Sequence, residues 1–260
     1  MNVITIPVRL ESSRFPNKVI QDIHGKSVMQ WIWEACIPVV GADNVYFNTP
    51  NPELIEFAQT FGAKAVLTKR YNCVLDQCSE AIRTITEENY LYDTVTVVQG
   101  DEPMITSEMI AKGLNAYLDK KRSQHNIQGS CLYKEISYEE AQDINTVKCV
   151  ISKNFNGLKI FTYFSRSVVP GVSPEKYGKK DGTFNKQVCI FTFSVYTLRN
   201  WWDAVSMDDV ESSEGIDLLR FVQNGLPILA IESTEETQAL DTPEDLLKIR
   251  ELMNHVVSTK

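Results

Sequence analysis

The chain has 260 residues, 43% hydrophobic and 23% charged, with a net charge of -8. Such values fit one large α/β domain, or one domain with an insertion, and the acidic balance excludes a general nucleic-acid binder, which needs a basic face. No apolar run approaches the ~20 residues of a membrane span, and the N-terminus lacks a basic segment followed by an apolar one, so a cytoplasmic protein with no membrane partner is expected. The six cysteines (36, 73, 78, 131, 149 and 189) form no CxxC pair, several lie in apolar runs, and the three histidines are scattered. Free buried thiols are expected and zinc spacing is absent.

In chain order, VITIPV (3–8) is near-continuously apolar, as a central parallel strand buried on both faces should be. A polar loop follows, then a helix over 27–40, a strand over 44–49 and a helix over 51–62 that starts near Asn51 and Pro52 and stops at Gly62. A short strand (63–68), a helix (75–89) and a strand (93–101) continue the alternation to about residue 115. Alternation of this kind predicts a mostly parallel, doubly wound α/β sheet, whose ligands bind beyond the carboxyl ends of the strands. From 127 to about 195 the pattern becomes β-rich, with an Asn-Gly turn at 156–157, and an inserted β-rich region is expected within a single domain of residues 1–260. A helix over 212–225 ended by Gly225, a strand over 226–231 and a terminal helix over 242–257, capped by Asp241 or Thr242 with Pro243 in its first turn, complete the reading.

Chemistry concentrates at strand ends. PVRLESSRFPNK (7–18) places Arg9, Arg14 and Lys18, with Ser12 and Ser13 between them, just beyond the first strand. Forked guanidinium donors, a point charge and hydroxyls together can wrap a polyphosphate, although a solvated basic loop has the same composition. The loop has no glycine before Gly25, so it is neither of the two common glycine-rich phosphate loops. VVQGDEP (97–103) puts Asp101 after a buried strand, where a carboxylate can hold Mg²⁺ or simply cap a turn. ALDTPED (239–245) puts Asp241 before a helix, a good helix start as well as a candidate ligand. YFSRSVVP (163–170) and NKQVCIF (185–191) offer Arg166 and Gln187 beside β-rich stretches.

Taken together, the motifs resemble the CMP-sugar-acid cytidylyltransferases, and in particular the CMP-Kdo synthetases (3-deoxy-manno-octulosonate cytidylyltransferases). IPVRLESSRFPNK matches that family's opening loop, VQGDEP is intact, YFSRSVVP keeps the YFSR segment and its proline, and LDTPEDL matches the closing motif; order and spacing agree over about residues 2–252. The resemblance implies a nucleotide-diphospho-sugar-transferase-like α/β core with a smaller β-rich insertion for acceptor binding and dimerisation, and a homodimer. It also implies a Mg²⁺-dependent reaction in which CTP and a 2-keto sugar acid give a CMP-sugar and diphosphate, in lipopolysaccharide or capsule synthesis. Carried over by motif, Arg9, Ser13, Arg14 and Lys18 would hold the triphosphate, Asp101 and Asp241 the metal, and Lys18, Asp101 and Asp241 would be catalytic. Arg166, Gln77, Gln187 and Asp217 fall on the acceptor side.

Departures from the pattern gather there. The family's SGT[DE]R stands as CVLDQ, so Gln77 replaces an arginine; [RK]HLGIY stands as KQVCIF, so Gln187 replaces a histidine; LEQLR survives as IDLLR, keeping Asp217 and Arg220; and ATDD becomes FNTPN. Triphosphate and metal positions are kept while acceptor positions are rewritten. A modified octulosonic acid, a nonulosonic acid or a phosphonate could replace Kdo, and the altered 73–77 segment bears on the choice of base. A sugar-1-phosphate nucleotidyltransferase is disfavoured by the glycine-poor loop, and a non-catalytic nucleotide-binding homologue is disfavoured by the retained aspartates and cations.

Overall fold

A computed structural model of the chain describes residues 1–88, 91–123, 126–154, 156–171 and 184–257. Of the expected β-rich stretch 127–195, residues 155 and 172–183 lie outside that set. The elements run β1 (Asn2–Pro7), β2 (Asp22–Ile23), β3 (Lys26–Ser27), α1 (Val28–Val40), β4 (Val45–Thr49), α2 (Pro52–Gln59), β5 (Lys64–Leu67), α3 (Val74–Glu88), β6 (Thr94–Val98) and α4 (Ser107–Ser123). They continue with β7 (Gly129–Ile136), α5 (Tyr138–Ala141), β8 (Lys148–Lys153), β9 (Lys159–Ser165), β10 (Phe184–Ser194), α6 (Trp202–Ala204), α7 (Asp209–Glu214), α8 (Leu219–Gln223), β11 (Ile228–Glu232) and α9 (Pro243–Val257). Two compact units result: Met1–Ala111 with Ser194–Asp203 and Glu236–Lys260, and Lys112–Phe193 with Ala204–Glu235.

In the first unit the strands lie in the order β5-β4-β1-β6, each pair parallel. The alternating sequence pattern predicts this arrangement, because parallel neighbours need helical crossovers. Val3, Ile4, Ile6, Val95, Val97 and Val98 are fully buried, as are Thr5 and Thr96 between them, and burial of successive residues along β1 and β6 is what a sheet covered on both faces demands. The chain leaves β1 towards β4 on one side and later returns to place β6 on the other. The carboxyl ends of β1 and β6 are therefore adjacent where strand order reverses, the place where such sheets leave a crevice.

The second unit is mainly antiparallel. β10 pairs with β7, β11 with β9, and β8 with β9 in antiparallel fashion, while β11 runs parallel to β7. The hairpin expected at Asn156–Gly157 forms between β8 and β9, with Gly157 at φ 74. Its organiser is Asn154, whose Oδ1 accepts from the amides of Asn156 and Leu158 at 3.0 Å each. One expectation is corrected. The helix read over 212–225 is two helices, α7 and α8, because Gly215 adopts the left-handed conformation (φ 62, ψ 45) and terminates α7 after Glu214. Asp208, unread in the sequence, caps α7 by accepting from Val210 and Glu211 amides. No helix of the described residues is long and apolar enough to cross a membrane.

Candidate active site

The loop after β1 is pinned at both ends. Val8 donates its amide to the Asn48 carbonyl (3.0 Å) and Leu10 donates to Asn51 Oδ1 (3.1 Å), so its start is tied to the end of β4. Asn17, in the left-handed conformation at φ 59, closes the excursion by donating to the Leu10 carbonyl at 2.8 Å. Asparagine tolerates that conformation better than most residues. The turn hands the chain to Lys18, whose stem enters the unit and whose side chain is 12% exposed.

Lys18 Nζ lies 2.7 Å from Asp101 Oδ2 and 3.0 Å from Asp241 Oδ1. Arg14 Nη2 is 2.9 Å from the same Asp241 oxygen. Lys18, Asp101, Asp241 and Arg14 thus form one cluster drawn from three distant parts of the chain. Burial pulls the Lys18 ammonium towards neutrality, but the paired carboxylates of Asp101 and Asp241 outweigh it and its pKa ends above the ordinary lysine value.

Two sequence details place the acids. A Cβ on Gly100 would overlap Val8 and come within 2.5 Å of the Pro7 carbonyl oxygen. Only glycine lets the end of β6 approach β1 this closely, and Asp101 follows directly. Asp241 is placed by the start of α9: Leu240 donates to the Asp101 carbonyl at 2.8 Å, and Thr242 and Asp245 bond reciprocally, side chain to amide. Of the two cap candidates the cap is therefore Thr242, which leaves the Asp241 carboxylate to Lys18 and Arg14. Arg9 and Ser13 lie exposed on the same loop, outside this cluster.

Gln77 takes a different position. It is 5% exposed, and its amide nitrogen donates to the Asn48 carbonyl at 2.8 Å, the same carbonyl that receives Val8. Asn48 is fully buried, donates to Thr5 Oγ1 at 2.5 Å, and has a side-chain oxygen with no partner among the described residues. Thr68 Oγ1, also buried, has none either. The sequence reading missed this polar cluster at the ends of β1, β4 and β5. Its available signal is FNTPN, where asparagine and threonine end an apolar strand. Beside it, the Trp202 indole donates to Asp76 Oδ1 at 2.8 Å and fixes that carboxylate.

The remaining candidates belong to the second unit. Arg166 follows β9, and its Nε donates to the Glu214 carbonyl at 2.7 Å, covering the open end of α7. Its amide donates to Glu214 Oε2 at 2.8 Å, and Ser165 Oγ donates to Glu214 Oε1 at 2.6 Å. Gln187 lies on β10; its amide donates to the Val147 carbonyl, and its side-chain oxygen is buried with no donor among the described residues. Asp217 sits, half-buried, in the turn between α7 and α8. Arg220 does not face solvent: it makes a bidentate pair with Glu211 (2.8 and 2.7 Å) with both side chains nearly inaccessible.

A family model described as cytidylyltransferase matches residues 3–242. The 3-deoxy-manno-octulosonate cytidylyltransferase of Francisella tularensis subsp. holarctica (strain LVS) is 32% identical over 257 residues, covering 96% of this chain and 98% of that protein. The enzyme of the same name from Chlorobium limicola is 29% identical over 252 residues, covering 96% of each. Among solved structures, CMP:2-keto-3-deoxy-manno-octonic acid synthetase complexed with CTP superposes with a TM-score of 0.82 at 30% identity, covering 98% of both chains. Matched by the family model over residues 3–242, by a relative 32% identical over 96% of its length and by a solved structure over 98%, this chain belongs to the cytidylyltransferase family and has the nucleotide-diphospho-sugar transferase fold.

Proposed function

We propose that the protein joins CTP to a 2-keto sugar acid of the Kdo class, giving a CMP-sugar and diphosphate, with Mg²⁺ as cofactor. The observation that carries this reading is the Lys18 ammonium set between the carboxylates of Asp101 and Asp241, with Arg14 on the second acid. Two carboxylates whose oxygens converge on one point form an oxygen-only donor set, which fits a hard divalent cation. Asp101 and Asp241 would hold that ion, which supplies charge neutralisation at the phosphate oxygens.

Lys18 and Arg14 would turn from the acids to the triphosphate, with Arg9 and Ser13 adding donors from the exposed loop. The sugar's anomeric hydroxyl attacks the α-phosphorus, the bond to the diphosphate's bridging oxygen breaks, and the hydroxyl proton leaves to solvent. Positioning and fixed charge lower this barrier without covalent participation by the protein. On the acceptor side we assign Arg166, Gln187, Asp217 and Gln77, and to the second unit a share in acceptor binding and in a homodimer.

A second reading concerns the acceptor alone. The buried, unpartnered oxygen of Gln187 costs about 1–3 kcal/mol until a donor reaches it, and a sugar hydroxyl absent from Kdo, or differently placed, would supply one. That favours a modified octulosonic or nonulosonic acid. The test is diphosphate release from each nucleoside triphosphate against a panel of sugar acids, phosphonates and sugar phosphates. Release with CTP and Kdo at a rate below that with a modified acid selects the second reading. Turnover that survives Asp101→Asn undiminished would remove the acid from the mechanism.

A further inference from the structure

Lys148 is fully buried at the start of β8 and makes no salt bridge among the described residues. Its ammonium instead meets three backbone carbonyls, those of Asp143 (2.7 Å), Thr146 (2.6 Å) and Arg166 (2.5 Å). An ammonium has three protons, so these bonds saturate it and leave nothing to offer a ligand. Burying a lysine for this purpose is expensive, and fully buried lysines are rare when unpaired. What the three bonds join is specific. Asp143 and Thr146 bracket Ile144, and the Ile144 carbonyl receives Arg166 Nη1 at 3.3 Å. The third carbonyl is Arg166's own. Lys148 therefore holds the backbone at both ends of the Arg166 side chain: the residue that carries the guanidinium and the loop that receives it. Glu214 holds the Arg166 amide and Nε. Nη2, the remaining terminal nitrogen, meets no acceptor among the described residues.

We propose that Lys148 is a positioning residue that orients the Arg166 guanidinium, so that its Nη2 edge is presented to the carboxylate of the acceptor. The inference rests on the assignment of Arg166 to the acceptor side made above. A guanidinium fixed before the ligand arrives loses little freedom on binding and so binds an anion more tightly than a mobile one.

The test is a steady-state cycle with CTP and Kdo on the full chain, comparing Lys148→Met, Arg166→Met and the double variant, with Lys148→Gln as a milder change that keeps a donor. Lys148→Met is expected to raise the KM for Kdo about tenfold, as loss of a charged hydrogen bond does, with the KM for CTP within about twofold of the parent. Lys148→Gln should recover part of that loss. The double variant should be no worse than Arg166→Met, because a residue that acts through Arg166 has nothing left to act on. Additive losses, or CTP and Kdo KM values that rise together, would mark Lys148 as a general fold support and overturn the proposal. If Lys148→Met does not fold, the Lys148→Gln cycle decides by the same criteria. If the parent releases no diphosphate from CTP with Kdo, the acceptor reading has failed, and the hold on Arg166 is read from hydrogen exchange. Faster exchange at Arg166 and Ser167 in Lys148→Gln, with β1 and β6 unchanged, then supports it, and unchanged exchange at both residues overturns it.

Discussion

Replacing Lys18 by methionine keeps the length and packing of the side-chain stem but leaves the carboxylates of Asp101 and Asp241 facing each other without the ammonium between them. Arg14 remains on Asp241 but is 46% exposed, and an exposed pair contributes at most about 1 kcal/mol. Lys18 is 12% exposed and the acids 26% and 23%, so the pairs are partly shielded from water. A charge pair at such range gains ~4 kcal/mol under surface-like screening, and desolvating the ammonium takes back a part. Removing one partner of a fully buried pair costs ~3–5 kcal/mol; for this half-shielded cluster about 2–3 kcal/mol is expected. For a chain of this size that lowers Tm by roughly 5–10 °C. The assay is thermal unfolding in chelator, then with Mg²⁺, with CTP, and with both.

Mg²⁺ alone should stabilise the variant more than the parent, because in the parent the cation must displace the ammonium. At about ten times its dissociation constant it restores ~1.4 kcal/mol. In the parent, Mg²⁺ and CTP should stabilise together by more than the sum of their separate effects, since each frees charges that the other binds, and that coupling is reciprocal. The pH dependence has a defined sign. The folded-state pKa of Lys18 is raised, so its contribution is fully present below the ordinary lysine pKa of about 10.4 and is lost only as pH rises through the folded value. The gap between parent and variant should therefore be constant near neutrality and narrow only in strong alkali. A variant as stable as its parent in chelator, or an identical Mg²⁺ response in both, refutes the reasoning.

Gly100→Ala forces a methyl group onto the Pro7 carbonyl and Val8; overpacking of this kind costs about 1–3 kcal/mol, visible as a lower urea midpoint, and turnover should fall with it because Asp101 is displaced. Glu211→Gln strands Arg220 in the interior and should cost roughly 3–5 kcal/mol by the same assay, while replacing both residues by apolar ones of similar size should cost less. Thr242→Ala removes the α9 cap for about 1 kcal/mol, and a change in the KM for CTP well beyond that stability loss would show that the cap also places Asp241. A thiol reagent on the native protein should modify Cys189 at most. The other five cysteines are buried, and burial pushes the thiols of Cys36 and Cys149 well above the ordinary range.

Much of the first unit was legible because its signals are local. The near-continuous apolar run at 3–8, the β-rich stretch at 93–98 and the helices between them specify parallel strands, and handed crossovers leave few strand orders. The charged residues at strand ends could be listed from the sequence, but that Lys18 sits between both acids could not, since it depends on the approach that Gly100 permits and on Thr242 taking the cap. Three features were opaque for identifiable reasons. The α4 helix at 107–123 straddles the change from alternating to β-rich sequence, although Thr106 accepts from the Met109 amide as its cap. Gly215 stood inside a helical pattern, and a lone glycine there is tolerated often enough that only the backbone shows it to be a break. Lys148 stands in TVKCVIS, and a lysine is ordinarily exposed unless paired. Lys148 is buried together with its neighbour Cys149, and only the folded carbonyls of 143, 146 and 166 explain how the charge is accommodated.

The pairing of Lys18 and Arg14 with Asp101 and Asp241 also bears on how this sequence can change over generations. Each of these side chains is needed by its neighbours for folding, and each is proposed to serve the reaction. A single substitution at any one is then penalised twice, first as an unfolded fraction and again as lost turnover. Drift at these four positions should be slower than at Gln187, which is proposed to meet the acceptor and whose side-chain oxygen bonds no described residue. Specificity can wander where side chains answer to one demand, and it stays fixed where they answer to two.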